Sequence, residues 1–396
     1  MKKIKIVTVI GTRPEIIRLS SIINRLNNSN FINHTLVHTG QNYDKNLNEI
    51  FFEDLGINEP DFYLDAAKGS PNMTIGEILI KIDPVLDKIK PDAMLILGDT
   101  DSCLSAIAAR KKKIPIFHFE AGNRCFDFRV PEETNRRLVD HISDINLTYS
   151  SNASQNLLNE GIAADRIIKV GSPMYEIIQK NLNKIQKSKI LSTLKLSREK
   201  YFLISCHRQE NINSTLNFNK LIKTLNTISE VYEMPVLFPV HPRTKKIITD
   251  KAPKLNKNIR LIDPVGFIDY NQLQINSFLV LSDSGTISEE SSILNFRALN
   301  IRETHERHEA MEEASVIMTG LEYNRVLQGI ESVKDQKTGD VRNILEVPDY
   351  KIANVSLKIE RIILSYINYV NRVFCQKESY FSPTIFILSN FKLMIY

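Results

Sequence analysis

IPIFHFEAGNRCFDFRVPEETNR, residues 114–136, opens on an apolar run, Ile114-Pro115-Ile116-Phe117, of the length of a buried strand. It closes inside a helical pattern that continues to His141. Between the two lie the carboxylates Glu120, Glu132 and Glu133 and the cations Arg124, Arg129 and Arg136. A strand that hands charged residues to a loop, followed by Pro and two acids opening a helix, is the arrangement of a site on an α/β sheet, where ligands gather at the carboxyl ends of the strands. From this stretch alone, a solvated loop with surface ion pairs is the competing reading.

Working outward, the same unit recurs. Towards the N-terminus, Ile4–Ile10 is a continuous apolar run leading into Gly11-Thr12-Arg13-Pro14-Glu15 and a helical pattern to about Leu26. Strands are expected at 35–39, 93–97 and 145–149, a long amphipathic helix at about 74–89, and a small-residue helix at 103–110. Uninterrupted apolar strands alternating with helices predict a parallel sheet covered on both faces. A polar, Lys-rich stretch at 181–200 follows, and the pattern then restarts. Strands are expected at 201–206, 236–240, 278–282 and 298–301, with helices at about 216–232 and 355–373. The expected division is 1–176, 177–354, a last helix 355–375 able to cross back to the first domain, and an appendage 376–396. At 396 residues, two domains also fit the usual size of roughly 150–200 residues each. The fold class is therefore α/β, two Rossmann-like domains facing a central cleft, and a ligand between them is the natural consequence.

Composition narrows the chemistry. Hydrophobic residues make up 42% and charged residues 24%, ordinary values for a globular chain with sizeable cores. The net charge of +5 is spread along the chain and suits an acidic small molecule; no RNP, zinc-finger or basic-stripe pattern points to nucleic acid. Cys103, Cys125, Cys206 and Cys375 have neither paired nor metal-like spacing. Reduced thiols in a cytoplasmic protein without a signal peptide are the expectation. The apolar run near the C-terminus is far short of the ~20 residues that span a bilayer, so no membrane insertion is expected.

Candidate site residues fall at strand ends. In Gly11-Thr12-Arg13-Pro14-Glu15 the Gly permits a sharp turn and Pro suits a first helical position, which would aim backbone N–H groups and Arg13 at a phosphate. The turn is not G-x-G-x-x-G, and neither half contains that fingerprint, so a tightly held NAD is not expected. Ser284-Gly285-Thr286 forms a second anion nest at a helix start, with Glu289 and Glu290 as acceptors for ribose hydroxyls and Arg307 and His207 as cations for a diphosphate. Asp99, Glu120 and Glu132 are the candidate acids and bases, which work best when their surroundings push their pKa values apart. The alternative for Asp99 and Glu132 is helix capping. No His, Cys or acid cluster has metal-ligand spacing.

With these residues set out, the chain resembles the non-hydrolysing UDP-N-acetylglucosamine 2-epimerase family. The carriers are GTRPE (11–15), GQNYD (40–44), GDT (98–100), HFEAG (118–122), PEETNR (131–136), GSP (171–173), HRQEN (207–211), HPR (241–243), DSGTISEE (283–290) and HER (305–307). They occur in order from residue 3 to about 375. The segments 122–150 and 300–307 are similar to the UDP-N-acetyl-L-fucosamine synthase group, which 2-epimerises UDP-2-acetamido-2,6-dideoxy-L-talose for capsule or O-antigen synthesis. The UDP-GlcNAc branch typically has GLRT where this chain has Gly122-Asn123-Arg124-Cys125.

The resemblance implies a GT-B architecture, a UDP-sugar substrate, a homodimer, and no cofactor or metal. Asp99, Glu120 and Glu132 would be the catalytic carboxylates, with His207 near the diphosphate and sugar. Arg13 and Arg18 would touch the nucleotide-sugar, Arg18 standing where the UDP-GlcNAc branch usually has Lys. Ser284, Gly285, Thr286, Glu290 and Arg307 would hold UDP, with Tyr270 near the uracil. His308 and Arg297 stand where the family usually has Pro, a departure expected to weaken the fold or nucleotide binding slightly. The C2 proton of an acetamido sugar has no neighbouring carbonyl to acidify it. Elimination of UDP and its re-addition, with C2 reprotonated from the other face, solves that without NAD. The rival readings are UDP-GlcNAc 2-epimerisation, a GT-B glycosyltransferase, a hydrolysing epimerase and a silent nucleotide-sugar binder.

Overall fold

The computed structural model describes residues 2–41, 46–206, 208–240 and 242–375. It contains two parallel sheets. The first is seven-stranded, in the order β3-β2-β1-β4-β5-β6-β7. Its strands are β1 Ile4–Ile10, β2 Ile32–His38, β3 Phe62–Tyr63, β4 Ala93–Leu97, β5 Ile116–Ala121, β6 Ile145–Thr148 and β7 Ile167–Lys169. The second, six-stranded sheet runs β10-β9-β8-β11-β12-β13. Here β8 is Phe202–Ser205, β9 Val236–Pro239, β10 Ile259–Ile262, β11 Leu279–Ser282, β12 Ala298–Asn300 and β13 Ile317–Met318. Both sheets reverse direction beside their first strand, so each has a crevice at the carboxyl ends of two neighbouring strands: β1 and β4, and β8 and β11.

The period-two geometry of a strand explains why these runs are apolar throughout. In β1, Ile6 and Ile10 face one core with Leu19 and Ile22, while Val7 and Val9 face another with Ile82 and Leu86. In β8, Phe202 and Ile204 pack with Phe218 and Leu225, and Leu203 packs on the opposite side with Leu237 and Leu273. The last helix, Val355–Val373, buries Ile359, Ile363, Ile367 and Val370 in the first-sheet core beside Leu19, Ile22 and Leu26. The helix Met174–Lys187 runs across the expected 176/177 boundary and packs in that same core through Ile177 and Ile178.

Several expectations are corrected. β5 does not stop at Phe117 but continues through His118, Phe119, Glu120 and Ala121, because pairing with β4 and β6 satisfies its backbone despite the polar side chains. The amphipathic helix begins at Pro71, with Ser70 as its cap accepting from the Met73 N–H. The 103–110 segment is a 3₁₀ turn, Asp101–Ser105, followed by a short helix, Ala106–Lys111. The strand expected at 35–39 is β2, Ile32–His38, which starts three residues earlier. Residues 376–396 lie outside the described residues. Among the described residues, no helix is long and apolar enough to cross a membrane, and no group of His, Cys, Asp and Glu is gathered for a metal ion.

Candidate active site

The turn after β1 is packed shut. A Cβ at Gly11 would meet Thr39 Oγ1 at 2.3 Å, so no larger residue fits. Glu15 folds back to accept from Gly11 N–H (3.0 Å) and Thr12 Oγ1 (2.7 Å), and also from Ser102 Oγ in the turn after β4. The Gly11 N–H is therefore spent within the turn, and the expectation that it faces a phosphate is corrected. Burial pushes the Glu15 carboxyl up to about 7, against the lowering effect of those donors. Arg13, by contrast, reaches into a cavity of about 470 Å³ between the two halves. Its guanidinium lies over the Phe51 ring at 5.6 Å.

Across that cavity stand Tyr270, Ser284, Thr286 and Glu290. The Ser284 and Thr286 hydroxyls pair at 2.9 Å where the chain enters the helix Ile287–Leu294. A Cβ at Gly285 would lie 3.2 Å from Glu306 Oε1, a close approach that favours glycine. Tyr270 hydrogen-bonds to Ser205. Glu290 accepts from Gln274 Nε2 at 2.6 Å, and burial raises its carboxyl.

Glu289 does not share this work. It turns away from the cavity and accepts from Arg18 Nη2 (3.0 Å) and from Ser172 Oγ, with Arg307 Nη2 at 3.4 Å. The pairing of Glu289 with Glu290 at one ribose is corrected: successive helix positions face directions about 100° apart, and only Glu290 lines the cavity.

Arg18 and Arg307 enclose Glu120. Arg18 Nη1 and Arg307 Nη2 both donate to it, the latter at 2.7 Å, joined by Asn123 Nδ2 at 3.2 Å and the Tyr149 hydroxyl at 3.3 Å. Burial alone would raise the Glu120 carboxyl, but the two guanidinium groups outweigh it and hold it below the usual value. Glu120 sits at a bulge where the β5–β6 register shifts, with φ +68°, a conformation rarely adopted outside glycine. The bulge swings its side chain over Gly98, where a Cβ would be 3.8 Å from Glu120 Oε2. Gly122, at φ +79°, then lets the chain leave the strand against the Ala153 carbonyl.

Asp99 follows Gly98 and accepts from Arg136 Nε at 2.7 Å, while Asn135 Nδ2 holds its backbone carbonyl at 2.9 Å. Both donors come from the helix Pro131–Ile142, which also carries Glu132 in its first turn. Burial, reinforced by the Asp99 charge, raises the Glu132 carboxyl. Asp99, Glu120 and Glu132 thus all lie within the field of Arg136, and Arg13, Arg18, Tyr270, Ser284, Thr286 and Glu290 line the cavity. Gly285 lies at its edge. Arg307 stands between the acids and Glu289, with Nε and Nη1 buried and without a hydrogen-bond partner. His207 lies outside the described residues.

A family profile described as UDP-N-acetylglucosamine 2-epimerase matches residues 24–364. The chain belongs to that family. The UDP-N-acetylglucosamine 2-epimerase structure from Rickettsia bellii is 47% identical, with a TM-score of 0.89 over 95% of this chain and 100% of that one. A Methanocaldococcus jannaschii UDP-GlcNAc 2-epimerase structure in complex with UDP-GlcNAc and UDP is 34% identical, with a TM-score of 0.85 over 91% of this chain and 100% of that one. A relative named UDP-2,3-diacetamido-2,3-dideoxy-D-glucuronate 2-epimerase, from Pseudomonas aeruginosa, is 35% identical over 331 residues, 82% of this chain and 90% of its own. The protein is an isomerase of the non-hydrolysing UDP-sugar 2-epimerase type, built on two Rossmann-like domains.

Within this epimerase frame, the sequence reading singled out neither Asn123, Tyr149 nor Glu306, gave Arg136 no partner and placed Glu289 at the ribose, yet each binds a candidate acid or a cation beside one. Arg136 sits in the PEETNR motif and was a findable signal. The partners of Glu289 lie 271 and 117 residues away, and no local pattern encodes them. The two departures from the family pattern make compensating contacts. His308 Nε2 lies 3.0 Å from the Arg124 carbonyl, and Arg297 Nε donates to the Gln336 carbonyl at 3.1 Å.

Proposed function

We propose that this epimerase inverts C2 of a UDP-2-acetamido sugar by eliminating and re-adding UDP, and that its substrate is UDP-2-acetamido-2,6-dideoxy-L-talose, giving UDP-N-acetyl-L-fucosamine. One observation supports the mechanism above the others: two acids that both feel the Arg136 charge are displaced in opposite directions, Glu120 down by its arginines and Glu132 up by burial. Inversion needs an ionised carboxylate on one face of C2 and a proton donor on the other. Glu120 takes the first role and Glu132 the second, with Asp99 beside Glu132 sharing the transfer.

In the forward half, the base removes the C2 proton, the C2–H electrons form the C1=C2 bond, and the C1–O bond breaks with its electrons going to UDP. In the return half, a UDP oxygen attacks C1 as C2 is protonated on the opposite face. Arg18 and Arg307 stabilise the charge shed onto the diphosphate, and the unpartnered N–H groups of Arg18 and Arg307 supply donors for it. Arg13, Tyr270, Ser284, Gly285, Thr286 and Glu290 hold the nucleotide, and the role at the diphosphate that its motif implies for His207 is part of the same proposal.

The branch rests on the loop after β5, where Asn123 contacts Glu120 and Phe126 and Phe128 stand exposed in the same loop, apolar surface suited to a 6-deoxy sugar. A second reading, epimerisation of UDP-GlcNAc to UDP-N-acetylmannosamine, is favoured by the names of the similar structures. Incubation in D2O with UDP-N-acetyl-L-fucosamine, and separately UDP-GlcNAc, followed at C2 by NMR, decides between them. Deuterium entering only the first sugar supports the fucosamine reading, and entry into UDP-GlcNAc supports the second. Exchange in neither, or sugar transfer to an added acceptor, sinks the epimerase mechanism. The same reading makes the enzyme a cytosolic homodimer, which a monomer mass in sedimentation would refute.

A further inference from the structure

Arg136 makes contact with acids from three places. Nε donates to Asp99 Oδ2 at 2.7 Å, Nη1 donates to Glu133 Oε2 at 3.0 Å, and Nη2 lies 3.4 Å from Glu306 Oε1 in the other half of the molecule. The guanidinium is 4% exposed and the Glu306 side chain 8%, so neither is screened by water. Glu306 is itself held from its own side, by Arg302 Nη1 at 2.6 Å and Arg208 Nη2 at 3.3 Å. Arg208 is anchored in turn, its Nε donating to the Asp283 carbonyl at 3.0 Å, next to the Ser284–Thr286 turn.

Three guanidinium groups thus converge on Glu306, and one of them also binds Asp99 through its Nε. A planar guanidinium fixed at two edges cannot rotate about its stem. The direction of its Nε, and with it the direction of the Asp99 carboxylate, is set jointly by Glu133 on its own helix and by Glu306 on the far side of the cleft. Glu120 takes its hydrogen bonds from a different set of donors and feels Arg136 only as a nearby charge.

We propose that Arg136 and Glu306 form a cross-cleft pair that positions Asp99 for the proton transfers at C2 and holds the two halves together while UDP and the unsaturated sugar are separate. The proposal rests on the elimination and re-addition reading. Neither residue touches C2; both are positioning residues, acting through Asp99. In their absence the eliminated intermediate has time to leave, so the loss shows in the partition of products more than in substrate binding.

The test uses the full chain with whichever of UDP-N-acetyl-L-fucosamine and UDP-GlcNAc the wild type exchanges in D2O. Glu306→Gln should lower kcat for C2 exchange about 10–100-fold, leave KM within about threefold, and raise the share of turnovers ending in free UDP and unsaturated sugar about tenfold, read by phosphorus and proton NMR. Arg136→Lys, which keeps the charge and every carboxylate, should retain more kcat than Arg136→Gln. In an Asp99→Asn background, Glu306→Gln should slow residual exchange no further.

UDP affinity by calorimetry establishes that each variant is folded, and the kcat of Arg136→Lys against Arg136→Gln decides the matter if Glu306→Gln fails to bind UDP. Wild-type kcat and product partition in Glu306→Gln, or a loss confined to KM, overturns the cross-cleft pair. So does a double variant slowed by the full Glu306→Gln factor. A wild-type protein that exchanges no deuterium with either sugar overturns the elimination reading itself, a result distinct from the others.

Discussion

The two sheets share one strand order around their first strands, yet they have been given different chemistry. At the β1–β4 crevice the first half presents carboxylates: Asp99 and, one strand further, Glu120. At the β8–β11 crevice the second half presents Ser284, Gly285, Thr286 and the start of the helix Ile287–Leu294, groups that donate to an anion. The fold supplies two equivalent positions at strand ends, and in the proposed mechanism the residues placed there divide the work, proton transfer in one half and nucleotide binding in the other. A two-domain enzyme with a charged leaving group gains from that division, because the shared arginines Arg18 and Arg307 screen Glu120 from the diphosphate it would repel. Where the halves meet, arginines stand between opposing acids: Arg18 and Arg307 between Glu120 and Glu289, and Arg136 between Asp99 and Glu306.

This division can be broken from either side. The largest effect is expected at the proton-transfer half: Glu120→Gln should lower kcat for C2 exchange by on the order of 10²–10⁴ while UDP still binds. An unchanged kcat would remove Glu120 from the catalytic set. Next comes the helix that follows the second half in sequence but packs on the first. Ile359→Ala should destabilise the protein by about 2–5 kcal/mol in denaturant unfolding with KM untouched, and a shifted KM with full stability would assign that helix to the nucleotide side instead.

The third test is the pH dependence of stability, which falls on Glu15 in the first half. Its carboxyl is raised from 4.5 to about 7 in the folded protein, so the native state binds the extra proton. Its contribution is complete below pH 4.5 and is lost as pH rises through 7, a change on the order of 3 kcal/mol. Glu15→Gln, whose amide can accept from Gly11 and Thr12 and donate to Ser102, should flatten that part of the Tm-versus-pH curve; an unaltered slope rejects the assignment. The smallest effect lies on the nucleotide side, where Arg307→Lys keeps the charge but loses the fork. It should weaken UDP binding about tenfold by calorimetry, with Glu120-dependent exchange still measurable at saturating substrate.

The parts legible in the sequence were those where burial on both faces leaves a continuous apolar run. Ala93–Leu97 and Ile4–Ile10 are observed with the expected bounds for that reason. β10 and β13 were not anticipated. They are short edge strands, partly exposed, and Arg260 breaks the apolar pattern in β10. Glu120 was readable as a strand-end acid, but the bulge that aims it was not, because a register shift is decided by the neighbouring strand and leaves no mark on HFEAG. Ser284, Thr286 and Glu290, which the motifs named as UDP-binding groups, line the cavity. They could not show that Glu289, one residue earlier, belongs to the arginines, since that follows from the packing of segments far apart in the chain.

The placement of Val355–Val373 has a consequence for synthesis. Ile359, Ile363 and Val370 complete a core whose other members, Leu19, Ile22 and Leu26, leave the ribosome first. The N-terminal half therefore keeps part of its apolar surface uncovered until Val355–Val373 has been made, while the intervening half can assemble its own sheet in the meantime. Birth order and folding order are inverted in this protein: the half translated first is the half finished last.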